Sequence, residues 1–283
     1  MTHPSPTRLV TITATTNLKK AWDCLSSWGT GPIVVVNQGT AFKSNEVPSH
    51  LFIIQHDEYL GTVPAFRVGV DYVLRNLPEV EFLACLHDDV IVKDPIWVEK
   101  VEKGFDRRPA CGLLGFGGAI GVGAEDIYQV PYQPVQLARV GFRSNMDDAE
   151  VHGMRSLLPE RVACLDGFSQ IGRREFFRGD TPPRHHPEGT TWVRKERPWT
   201  YLQDLGIVHH SYDGMLGCYA ARLGWETWYL PIRCRHLGGQ TAVGDAGYQS
   251  WAKGQILGGD QGFWKHSHHV WYDSFTDVLP LRV

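Results

Sequence analysis

The segment Cys85-Leu86-His87-Asp88-Asp89-Val90-Ile91-Val92 sets an imidazole and two adjacent carboxylates at the end of an apolar run. Carboxylate oxygens at a strand end suit a hard divalent cation that also takes diphosphate oxygens, the usual way of holding Mg²⁺ or Mn²⁺. Asp pairs in such places also cap turns and helices. Arg235-His236-Leu237-Gly238-Gly239 follows a second apolar run. Its imidazole could complete a metal site and its glycines could admit a phosphate, or the His could simply precede a Gly turn. His209-His210-Ser211-Tyr212-Asp213 leads into a helical pattern, where Asp213 fits a general base taking a proton from a hydroxyl, an N-cap, or both. Asp166-Gly167 is a common turn dipeptide. From Arg173 to Arg197 there are seven basic residues against four acidic ones, with Trp192, Trp199 and Tyr201 in or just after the stretch. Arg194 and its neighbours there form either a contact for a phosphate-bearing, carbohydrate or nucleic-acid acceptor, or a solvated basic loop.

Strands and helices must position these groups, and the first ninety residues alternate in the manner of a βαβ series with a largely parallel sheet. Leu9 to Thr13, Ile33 to Val36, Leu51 to Gln55 and Phe82 to Leu86 read as strands, and Leu18 to Ser27 as a helix. Val63, Phe66, Val70, Val73 and Leu74 form a helical stripe. Polar residues at the carboxyl end of a parallel strand are where open α/β sheets bind ligands, which puts His87-Asp88-Asp89 in a favoured place. Further on, the pattern predicts a short helix from Trp97 to Lys103, a strand at Gly112 to Phe116 and a Gly-rich stretch after it. Val162 to Leu165 and Glu175 to Phe177 flank the Asp-Gly turn, Arg178 to Leu205 reads as a functional loop or lid, a helix starts at Asp213, and Trp228 to Ile232 reads as a strand.

With 283 residues, 42% hydrophobic and 21% charged, the chain can bury one large core or two small ones, which speaks against disorder and fibrous repeats. A net charge of −3 argues against a globally basic nucleic-acid binder. The six Cys form no Cys-x-x-Cys pair and sit in apolar runs, the pattern of buried thiols in a reducing compartment. No secretory signal or apolar run of membrane-spanning length is visible, so a soluble, cytoplasmic protein is expected. The phosphate-binding Gly-x-x-x-x-Gly-Lys loop, the Gly-x-Ser-x-Gly elbow and His-Glu-x-x-His are all missing.

The order of the features, across about residues 8 to 242, resembles a glycosyltransferase of the GT-A fold, close to family 2. Val10-Thr11-Ile12-Thr13-Ala14-Thr15 looks like the family's opening strand and nucleotide-contacting turn. Ile33-Val34-Val35-Val36-Asn37-Gln38-Gly39 looks like its second strand, with Asn37 where Asp is commoner. Glu58-Tyr59-Leu60-Gly61 and Ala65-Phe66-Arg67-Val68-Gly69 are similar to its Asn-x-Gly…Ala-x-Asn-x-Gly segment, with Tyr59 and Arg67 in the Asn places. His87-Asp88-Asp89 falls at the Asp-x-Asp motif, and Tyr212-Asp213 at the Glu-Asp segment. Asp166-Gly167-Phe168 with Arg173 to Phe177 is similar to the turn and strand near the acceptor, and His236-Leu237-Gly238-Gly239 to the late His-x-Gly-Gly element.

The resemblance implies an α/β fold with a mostly parallel, Rossmann-like central sheet in one two-lobed GT-A domain. Residues 1–95 would form the nucleotide-sugar half, 96–243 the acceptor and catalytic half, and 244–283 a tail. It implies a metal-dependent, inverting glycosyltransferase moving a sugar from a nucleotide-sugar, a UDP-sugar by preference, to a hydroxyl acceptor. Asp213 would be the base. Thr13, Ala14, Thr15, Asn37, Gly61, Arg67, Asp88, Asp166 and Gly167 would bind the donor, and Asp89, His236 and His87 would hold Mn²⁺ or Mg²⁺. Trp192, Trp199 and Arg194 would meet the acceptor. That acceptor is expected to be a saccharide or glycan, the alternative being a hydroxymethylated DNA base. A non-catalytic sugar- or nucleotide-binding protein on the same scaffold is the third expectation.

Overall fold

Alternation along the strands sends Leu83 and Cys85 to one face of a sheet and Phe82, Ala84 and Leu86 to the other. The computed structural model describes residues 8–39, 47–123, 139–147, 153–182, 196–238, 270–271, 273–279 and 281–283. Strand β1 (Leu9–Thr15), helix α1 (Leu18–Ser27), β2 (Ile33–Asn37), β3 (Leu51–Gln55), α2 (Thr62–Asn76) and β4 (Phe82–Leu86) follow the expected alternation. Then come β5 (Val90–Val92), α3 (Trp97–Asp106), β6 (Cys111–Gly115), β7 (Gly117–Val122), β8 (Arg139–Ser144), β9 (Met154–Arg155), β10 (Glu160–Val162), β11 (Cys164–Leu165) and β12 (Ser169–Arg173). Last are α4 (Arg174–Arg178), α5 (Pro198–Asp204), α6 (Tyr212–Leu223), β13 (Glu226–Tyr229), β14 (Cys234–His236) and β15 (Leu281–Arg282).

The protein is mixed α/β, with a large sheet ordered β10-β13-β6-β12-β4-β1-β2-β3. β1, β2, β3 and β4 are parallel, whereas β12 runs antiparallel between β4 and β6. Residues on both sides of position 95 contribute strands to this one sheet. α2, α5 and α6 carry the core on one face, and α1 and α3 on the other. β7 pairs with β8, β11 and β15 in a second sheet, and β5 pairs with β14 in an antiparallel ribbon. Among the described residues no helix is long and apolar enough to cross a membrane.

Three expectations shift. The Gly-rich stretch forms β7, because missing side chains let the strand lie close to β11: a Cβ on Gly118 would sit 2.7 Å from the Cys164 carbonyl oxygen. Glu175 to Phe177, placed by resemblance in a strand, lies in α4. Adjacent Phe176 and Phe177 both enter the same core cluster, which a strand's alternation forbids. The strand expected from Trp228 to Ile232 ends at Tyr229, and Pro231 has no N–H to extend the ladder.

The α2 stripe of Val63, Phe66, Val70 and Val73 is buried against β1 and β2. Gly69 permits the closest approach, since its Cβ would come 2.4 Å from Ile12 Cγ2. Gly69→Val is expected to lower the unfolding free energy by about 2 kcal/mol through overpacking. The readout is a lower urea midpoint at constant slope, and an unmoved midpoint refutes the close packing.

Candidate metal centre

The chain runs outward from β1 through β2 to β3 and returns to the other flank of β1 as β4. The strand order therefore reverses between β1 and β4, the place where open α/β sheets bind ligands beyond their carboxyl ends. A cavity of about 200 Å³ opens there. Ala14, Thr15 and Thr16 reach it from the end of β1, Gln38 from the end of β2, and His87, Asp88 and Asp89 from the end of β4. Thr62 and Phe66 of α2 and the His209-His210 turn before α6 close the other side.

The β5–β14 ribbon brings in His236. Its register sets His236 opposite Val90, and the Leu237 N–H donates to the Asp89 carbonyl at 2.9 Å. One donor atom each from His87, Asp89 and His236 lies within 4.8 Å of the others. His236 Nε2 is 3.1 Å from Asp89 Oδ1. Two neighbouring ligands at about 2.1 Å from one octahedral ion stand about 3.0 Å apart, so the spacing fits a shared cation. Two imidazoles and one carboxylate suit Mn²⁺ better than Mg²⁺, which prefers oxygen donors. Phe168 stacks on His236 at 4.9 Å and Phe66 on His87 at 6.3 Å, fixing both ring planes.

Burial and mutual contact set the charge states of these residues. Burial lowers the His87 pKa against the opposing pull of Asp89, so the ring is neutral at pH 7. Burial alone would raise Asp89, but the hydrogen bond and charge of His236 outweigh it and hold the carboxyl below its usual value. Burial raises Tyr212 well above the usual phenol value, so its hydroxyl stays protonated.

The turn before α6 is strained. His210 has φ +31° and Ser211 φ +62°, a conformation that costs side-chain-bearing residues of order 1–3 kcal/mol each. His209 Nδ1 meets Thr62 Oγ1 at 3.0 Å and its Nε2 meets the Tyr59 hydroxyl at 3.2 Å. Burial brings His209 down to about 3 and His210 down to about 4. The unfolded chain takes up protons on both near pH 6.5, whereas the folded chain does not until pH 4 or below. Stability is therefore expected to fall as pH drops below about 6.5, by about 1.4 kcal/mol per pH unit per histidine. Urea midpoints at pH 7.5 and 5.5 measure this loss. A double His209→Gln, His210→Gln variant that loses as much as the parent refutes the assignment.

The expected site residues divide. Ala14, Thr15, His87, Asp88, Asp89 and His236 line the cavity together. Thr13 is fully buried in β1 and does not line it. Asn37 is also buried and donates to Gln55 Oε1 at 2.8 Å, because the parallel register of β2 and β3 sets those two side by side. Gly61 opens α2 at φ +91° and donates its N–H to Gln38 Oε1, next to the cavity rather than on its wall. Arg67 donates to Gln203 Oε1 and faces Asp71, and it does not line the cavity. Asp166 and Gly167 do not line the cavity, and the Tyr212 hydroxyl donates to the Gly167 carbonyl.

Asp213 sits in the first turn of α6, 7% exposed, and accepts the Gly214 N–H at 2.9 Å. The N-cap position belongs to Ser211. Trp199 is not an acceptor wall: it is 1% exposed and packs among Phe66, Phe177 and Tyr212. Trp192 and Arg194 lie outside the described residues. The basic stretch also changes meaning. Arg173 donates to the Phe105 and Cys111 carbonyls, Arg174 to those of Leu74 and Leu77, Arg178 pairs with Asp180, and Arg197 pairs with Asp71.

Thr16, Gln38, Tyr59, Thr62 and Phe66 also line the cavity, beyond the residues expected from sequence. Gln38 Oε1 accepts the N–H groups of Leu60 and Gly61 at 2.6 and 3.0 Å, which leaves the amide's NH₂ edge as its donor face. A polar pair directly after an apolar strand, Asn37-Gln38, was the available signal.

No protein-family model and no curated protein matches the sequence. Among solved structures, one described as "Crystal Structure of A197 from STIV" is similar at 12% identity and a TM-score of 0.36, over 79% of this chain and 82% of that chain.

Proposed function

We propose that the protein is a metal-dependent glycosyltransferase on a two-lobed GT-A scaffold, transferring a sugar from a nucleotide-sugar to a hydroxyl acceptor. The observation that carries this reading is the meeting of His87, Asp89 and His236 at the rim of a cavity where the parallel strand order reverses. His87, Asp89 and His236 would hold Mn²⁺, which would offset charge developing on the departing diphosphate. Ala14, Thr15 and Gln38 lie where the nucleotide would rest, and the NH₂ edge of Gln38 suits a carbonyl-bearing base such as the uracil of a UDP-sugar. Asp213, fixed by the first turn of α6, would take the acceptor proton as its oxygen attacks the anomeric carbon in line.

A saccharide hydroxyl is the favoured acceptor. The hydroxymethylated-base alternative loses support, since each described arginine of the 173–197 stretch is engaged within the protein. The donor set favours one other reading, because two His and one carboxylate with open positions also define ferrous oxygenases. The test is a screen of nucleotide-sugars with Mn²⁺, scored for binding and slow donor hydrolysis. Hydrolysis of one donor supports the transferase. Dioxygen uptake by the Fe²⁺-loaded protein, with no nucleotide-sugar bound, replaces it by the oxygenase. Tight donor binding without transfer to any acceptor supports a binding protein.

A further inference from the structure

We infer that Tyr212 is a positioning residue for the metal centre: its hydroxyl fixes the tautomer of His87 so that Nδ1, and not Nε2, carries the lone pair offered to the cation. The inference rests on the metal-binding reading of His87, Asp89 and His236. Its basis is a proton count. The Tyr212 hydroxyl has one hydrogen and two close partners, the Gly167 carbonyl oxygen at 2.9 Å and His87 Nε2 at 2.6 Å. A carbonyl oxygen can only accept, so for both contacts to be hydrogen bonds the phenol proton must go to Gly167. Toward His87 the phenol oxygen is then the acceptor, and Nε2 must carry the hydrogen. A neutral imidazole protonated on Nε2 has its lone pair on Nδ1.

The surroundings hold this arrangement. Tyr212 is 4% exposed and its ring packs against Trp199 at 5.7 Å. Gly167 is required for the approach, since a Cβ there would stand 2.7 Å from the Tyr212 hydroxyl oxygen. The apparently ordinary Asp-Gly turn is therefore the seat of the phenol. Metal-bound histidines commonly give their second N–H to an oxygen acceptor that orients the ring, and removing such a partner costs about 10- to 100-fold in metal affinity. Tyr212 takes that role with a phenol where carboxylates and backbone carbonyls are the usual partners. It also joins two parts of the site, because the next residue in α6 is Asp213.

The experiment compares Mn²⁺ binding to the full chain by calorimetry for the parent, Tyr212→Phe and Asp89→Asn, with ¹⁵N spectra of the histidine rings. Tyr212→Phe keeps the packed ring and is expected to weaken Mn²⁺ by at least tenfold at a similar melting temperature. In the metal-free parent, His87 should show a protonated Nε2 and a bare Nδ1, and the variant should lose that single-tautomer signature. Binding within twofold of the parent, or a parent His87 protonated on Nδ1, overturns the inference. Weakened binding with the tautomer unchanged overturns it as well. If Asp89→Asn leaves Mn²⁺ binding intact, the metal reading itself fails and the inference with it. Should Tyr212→Phe unfold, Gly167→Ala, which displaces the hydroxyl, must produce the same loss of affinity and of tautomer selection.

Discussion

Asp89→Asn is expected to remove Mn²⁺ binding and, with it, donor turnover, by at least a hundredfold. The substitution keeps the shape of the side chain while removing the one carboxylate of the candidate metal-binding set and the partner that His236 faces at 3.1 Å. The carboxylate is held ionised although it is 8% exposed, so its charge is a standing feature of the cleft. An uncharged amide leaves two imidazoles alone, too weak a set for a hard cation competing with water. Direct titration of Mn²⁺ and the rate of nucleotide-sugar hydrolysis measure the two effects. Activity that survives both this substitution and exhaustive chelation would refute a role for the cation.

Asp213→Asn is expected to lower transfer by about 10²- to 10⁴-fold, the usual weight of a positioned general base, while Mn²⁺ and donor affinities stay near the parent's. The separation follows from placement. Asp213 lies one residue beyond Tyr212 on a buried helix turn, and it belongs to neither the ligand triad nor the cavity wall formed by β1, β2 and β4. Asparagine can still accept the Gly214 N–H that the carboxylate now accepts, so the helix start should survive. Transfer rates measured with saturating donor and an acceptor found by screening decide the point. Near-parental transfer with intact folding would remove Asp213 from the mechanism.

The parallel half of the fold was legible because its signals are local. Apolar runs of strand length alternating with a 3.6-residue stripe give β1 to β4 with α1 and α2. The His87-Asp89 cluster was legible for the same reason, since it directly ends a buried strand. What sequence could not reveal were pairings between distant segments. Nothing local says that Val90 to Val92 is a strand, or that its partner is the segment ending in His236. Arg173 and Arg174 looked like a free basic patch because charge is visible in a sequence, whereas the backbone carbonyls that consume it are not. On composition alone an aromatic beside basic residues, such as Trp199, reads as a contact surface, yet its ring fills the space between α2, α4 and α6. The tautomer of His87 depends on which groups crowd one phenol, which no spacing rule encodes.

The β5–β14 ribbon has a thermodynamic side. Its two arms come from far apart in the chain, and each carries or adjoins a residue of the candidate metal-binding set, Asp89 beside one and His236 at the end of the other. An ion bridging them acts as a reversible clasp that exists only in the native state. By mass action it would deepen the native well by about 2.7 kcal/mol once its concentration reaches a hundred times its dissociation constant. The cofactor of the proposed reaction would thus also be a folding ligand. A cell short of the metal would hold a protein that is both idle and more easily unfolded, so the supply of one ion would set abundance and activity together.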